Sequence, residues 1–95
     1  MPQARSNRII VTVIGADRVG IIAGVSGVLA EANANIVDIS QTTLREFFTM
    51  ILMADLGEAT IPFDDLKRRL SEKGEEMGVK IDAQHEDVFK YMHRV

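Results

Sequence analysis

The sequence contains no cysteine, which excludes a disulfide framework and a thiolate metal site. It has no long apolar run. The stretch Ile9 to Ile14 is too short for a secretory h-region or a membrane span. A polar N-terminus, MPQARSNR, leads directly into it, and a cytoplasmic location is expected. Basic residues are outnumbered, with 11 Lys and Arg against 14 Asp and Glu. The formal net charge is −3 and Lys67-Arg68-Arg69 is the one basic cluster, which argues against a nucleic-acid binder, since that needs a basic face. No linker, repeat or low-complexity segment divides the chain. What is present is material for one domain over residues 1–95, with 46% hydrophobic residues. A chain this short must place them efficiently, because small domains bury a smaller share of their surface.

Residues 8–15, RIIVTVIG, are β-branched and end on a glycine, the pattern of a strand. Over residues 20–33, Ile21, Val25, Val28, Leu29 and Ala32 recur at helical spacing. Residues 35–44 return to period two, and residues 47–55 form another strand after Arg45-Glu46, a turn without the Asn-Gly signature. Pro62 suits the first turn of a second helix. Asp64 and Asp65 then lie near its positive dipole end and can pair four residues on with Arg68 and Arg69. Phe63, Leu66, Leu70 and Met77 supply its buried stripe, and Gly78 its C-terminal cap. Residues 79–85, VKIDAQH, alternate, and a short helix follows over residues 87–95.

The order βαββαβ plus a tail predicts an α+β, ferredoxin-like sandwich: a four-stranded antiparallel sheet, two helices on one face, a core over residues 8–86 and a tail over 87–95. The first and third strands are apolar on both faces and so belong in the middle. That leaves an open apolar sheet face, the mark of an interface. The tail, with Phe89, Tyr91 and Met92, is one candidate cover, and a partner subunit is the other. Gly24 and Gly27 inside the first helix cost roughly 1 kcal/mol each against alanine. They predict a closely packed neighbour, with the second helix the first choice.

The chemistry centres on Gly15-Ala16-Asp17-Arg18-Val19-Gly20-Ile21-Ile22. Its glycines have phosphate-loop spacing, but Ile21 and Ile22 stand where such a loop needs Lys and Ser or Thr. Gly20 permits close approach to the backbone. The helix start offers free N–H groups that suit a carboxylate as well as a phosphate, and Asp17 can accept from an ammonium. Together these are the partners of an α-amino acid. The same residues also suit a plain turn, with Asp17 as the helix cap. His85 and His93 stand near Glu86 and Asp87 but share no rigid face, so no metal or other cofactor is expected. No nucleophile–base set is evident, so no enzyme is expected. The RNA-recognition modules share this element order, but they need an aromatic on the first strand, and there is none.

The stretch "ADRVGIIAGVSGVLAEANANIVDISQ", an Asp-x-x-Gly-Ile loop, a helix and then Asn-Ile opening a strand, resembles the ACT domain, the small regulatory module of amino-acid metabolism. The resemblance covers nearly the whole chain. It is similar to small stand-alone ACT proteins of prokaryotes, whose ending is like HEDVFKYMHR, and to the ACT domains of glycine-cleavage repressors and formyltetrahydrofolate deformylases. The resemblance implies a regulatory domain that binds a small amino acid at a homodimer interface, often edge to edge. The ligand is then held by Asp17, Arg18, Val19, Gly20 and Ile21 on one side and by Asn35 and Ile36 on the other. Serine-sensing members place a histidine two residues before the loop's acidic or amide residue. This chain has Gly15 there, which points to a smaller or different ligand. The alternative is a dimeric protein-interaction module without a small-molecule ligand, which docks on a metabolic enzyme or regulator.

Overall fold

The computed structural model describes residues 7–16 and 19–92. The elements run β1 (Arg8–Ala16), α1 (Ile21–Glu31), β2 (Asn35–Leu44), β3 (Phe47–Asp55), α2 (Phe63–Met77), β4 (Val79–His85) and α3 (Glu86–Met92). The strands form one sheet in the order β2-β3-β1-β4, antiparallel at every pair. This is the expected ferredoxin-like sandwich, with the two doubly apolar strands in the middle. Its core lies between sheet and helices. Val11 stands between Leu52 and Ala83, and Val13 between Met50 and Ile81. All six are buried, as are Val25, Leu29, Leu66 and Leu70 from the helices.

Local chemistry sets the helix ends. Helix α1 stops through a Schellman motif. Asn33 takes the left-handed conformation, at φ 58°. Its N–H donates to the Ala30 carbonyl, and the Ala34 N–H to that of Leu29. Pro62 lies just outside α2 as its N-cap, one position before the first turn in which it was expected, and Gly78 closes the helix at φ 76°. Asp64 and Asp65 occupy the first turn. The expected four-residue pairings do not form. Arg68 instead meets Asp65 at 3.5 Å and Glu72 at 3.9 Å.

The two helices touch where a glycine lets them. A Cβ on Gly24 would stand 2.6 Å from the Met77 sulfur of α2, which bears out the second helix as the close neighbour. Gly27 does not share that role, because nothing lies within 4 Å of where its Cβ would be. Gly74 of α2 is buried against β4, with the Val79 carbonyl oxygen 2.7 Å from its would-be Cβ.

The short α3 lies on the open sheet face. Phe89 and Met92 roof a cleft of about 280 Å³ over Ile10, Thr12 and Ile14 of β1 and Asp82 and Gln84 of β4. Glu86 is 9% exposed. Its carboxylate lies 4.0 Å from Arg8 and 3.9 Å from Lys90, which ties the start of α3 to the start of β1. The tail is therefore one cover of the open face, as expected, but it covers only the β1–β4 half. Phe47 at 55%, Ile51 at 45% and Leu44 at 69% stay exposed on the other half.

Candidate functional site

At the far end of β1 the chain turns into α1. Gly20 is the N-cap, at φ 93°, a conformation that glycine adopts without steric cost. Nothing lies within 4 Å of where its Cβ would stand, so the backbone is open to approach. The first helical bond runs from the Gly24 N–H to the Gly20 carbonyl. The N–H groups of Ile21, Ile22 and Ala23 therefore precede the ladder, and no acceptor for them is found among the described residues. The first turn of α1 carries no acidic side chain, so its positive dipole end is not offset from within the helix.

These groups border a cleft of about 340 Å³ lined by Gly20, Ile21, Ile22, Ala23, Gln41, Thr43 and Phe48. One wall is the first turn of α1 and the other is the end of β2. The register explains the second wall. Gln41 stands opposite Met50 and Thr43 opposite Phe48. Met50 and Phe48 are buried beneath the helices. Cross-strand partners point to one side of a sheet, so Gln41 and Thr43 face the helix side.

Of the residues singled out in the sequence, Gly20 and Ile21 line this cleft. Val19 is fully exposed beside it. Asp17 and Arg18 lie outside the described residues, as does His93. Asn35 and Ile36 are not brought to the cleft within one chain. They pair with Asp55 and Ala54, beside Arg8 and Ile9, whereas the loop leaves from Ala16 beside Phe47 and Leu44. At about 3.3 Å per residue the two ends of β2 are roughly 30 Å apart. Ile36 packs against the core, and Asn35 is exposed.

Gln41, Thr43, Ala23 and Phe48 were not anticipated. The signal for the first two was their period-two phase with Ile39, which puts them under the helices. Gly15 is also closed to a larger side chain, since its Cβ would stand 2.8 Å from a Val79 methyl group. A histidine there is excluded by packing. His85 instead stacks on Phe63, with ring centroids 4.3 Å apart. Among the described residues no three His, Cys, Asp or Glu side chains gather as a metal site, and no helix is long and apolar enough to cross a membrane.

Comparison with known proteins agrees with this fold. The family model for the ACT domain matches residues 7–84. A UPF0237 protein of Methanocaldococcus jannaschii is 55% identical over 89 residues, covering 94% of this chain and 99% of its own. The ACT domain protein from Streptococcus pneumoniae superposes with a TM-score of 0.76 at 41% identity, covering 87% of this chain and 93% of its own. A formyltetrahydrofolate deformylase from Pseudomonas syringae shares the fold over 81% of this chain and 26% of its own, with a TM-score of 0.74 at 23% identity. With its βαββαβ sandwich, its glycine-opened first helix and a family match over residues 7–84, this chain belongs to the ACT domain family.

Proposed function

We propose that the protein is a non-catalytic regulatory domain that binds a small amino acid at a homodimer interface. One observation carries this reading: the first-turn N–H groups of α1, which have no partner among the described residues, border an open cleft. Such groups, at the positive end of a helix, suit the ligand's α-carboxylate. In this reading Asp17 accepts from the ammonium, with Arg18 and Val19 completing the loop, and Asn35 and Ile36 come from the second copy.

The β2 edge supports the second copy. Nine of its ten residues are exposed, and Asp38 is its only charged side chain. It has neither the lysine nor the proline that guards a solitary edge. The opposite edge, β4, carries Lys80 and Asp82, and Lys67 of α2 reaches Asp82 at 3.9 Å. Antiparallel pairing of two β2 strands about a two-fold axis sets the start of one beside the end of the other. That places Asn35 of one copy towards the loop of its mate.

A thermal-shift screen against the twenty amino acids tests the proposal, because a ligand bound only by the folded state raises the melting temperature. At least one should raise it, Gly20→Val should abolish the effect, and Asp17→Ala should weaken binding by roughly 1.5–3 kcal/mol. The exposed strip of Leu44, Phe47 and Ile51 beyond α3 favours the second reading, a dimeric interaction module without a ligand. A screen in which no amino acid shifts the melting temperature selects that reading.

A further inference from the structure

The helix-facing side of β2 begins apolar, with Ile36 and Ile39, and turns polar only at its end. Its β3 neighbours there, Phe48, Met50 and Leu52, are buried. Yet at the cleft β2 presents Gln41 and Thr43. Both are exposed, and neither side chain has a hydrogen-bond partner among the described residues. The wall they face is the first turn of α1, made of Gly20, Ile21, Ile22 and Ala23. An edge strand packed only for stability would put an apolar side chain against the core there, as Ile36 does at the other end of β2.

We propose that Gln41 and Thr43 determine specificity by reading the ligand's side chain, and that the ligand is an α-amino acid with an uncharged hydroxyl or carboxamide group. This rests on the amino-acid reading of the same cleft. The division of labour follows from position. The α1 backbone meets the carboxylate that every amino acid carries, and it cannot discriminate. The Gln41 amide offers donors and an acceptor, and the Thr43 hydroxyl one of each. Together they complement a group that both donates and accepts. Neither carries the charge that would offset an ionised side chain, which must be stripped of water to enter. An apolar side chain of equal size would leave both groups without partners and without water, at a cost of about tenfold in affinity per lost bond.

The test is calorimetry of the full-length protein with matched pairs of amino acids: serine and alanine, threonine and valine, asparagine and leucine. The wild type is expected to prefer the polar member of at least one pair by about tenfold or more. Gln41→Leu and Thr43→Val should shrink that preference towards unity while keeping the affinity for the apolar member. Both side chains are exposed, so the variants should fold, which circular dichroism checks. Equal affinity within every pair overturns the inference. So does a preference that survives in the double variant. If only apolar or charged amino acids bind, and Gly20→Val abolishes that binding, the cleft reading stands and this assignment falls. If no amino acid binds at all, both fall.

Discussion

Three glycines show how one residue type can have opposite energetic roles. Gly27 sits in the interior of α1 with open space around it. Alanine there meets nothing and restores helix propensity, so Gly27→Ala should stabilise the fold by about 1 kcal/mol. Gly74 is in the interior of α2, where a methyl group would stand 2.7 Å from the Val79 carbonyl oxygen. That oxygen belongs to the sheet backbone and cannot swing away, so Gly74→Ala should cost on the order of 1–3 kcal/mol. Gly24 lies between them, because its obstacle is the flexible Met77 side chain. Urea denaturation of the three variants checks the order. A Gly74→Ala variant as stable as Gly27→Ala would show that β4 and α2 are not packed as described. The sequence suggested the close approach at Gly24, but not that Gly27 is open or that Gly74 is closed by backbone, because three glycines in helical surroundings look alike until the packing is known. Arg45 is similar. It takes φ 56° in the β2–β3 turn and so does the work of the missing Asn-Gly pair.

Element type and order were legible because periodicity is a local signal. The alternation of VKIDAQH and the stripe of Ile21, Val25, Val28 and Leu29 each name a face. The placement of β1 and β3 at the centre was legible too, since only they are apolar on both sides. The cleft wall was not. Gln41 and Thr43 look like the solvent side of an edge strand until the register sets them across a cleft from the first turn of α1. The coverage by α3 was half legible. Its apolar residues pointed to the open face, but its width against four strands did not follow from spacing. Phe89 is half-buried, so Phe89→Ala should lower stability by about 2 kcal/mol, below the range for a fully buried ring. Truncation after His85 should cost more, since it also removes the buried Glu86 and its contacts with Arg8 and Lys90. Thermal melts check both, and an unchanged midpoint for the truncated chain would mean that α3 contributes nothing to the fold.

For the whole molecule, the exposed β2 edge and the uncovered β2–β3 half of the open face predict self-association. Light scattering at micromolar concentration should give at least twice the 10.5 kDa of one chain. Ile39→Lys puts a charge in the middle of β2 and should return the monomer mass, because lysine on an edge opposes strand addition. A wild type that stays at 10.5 kDa would remove the edge from the proposed site. The opposite placement of the two ends of β2 has a quantitative consequence if the site is shared between copies. Ligand and self-association are then thermodynamically linked, each strengthening the other by the same factor. Apparent affinity would fall on dilution, as half-sites separate. The protein's response would then depend on its own abundance as well as on the supply of amino acid. A cell making little of it would need more ligand to reach the same occupancy.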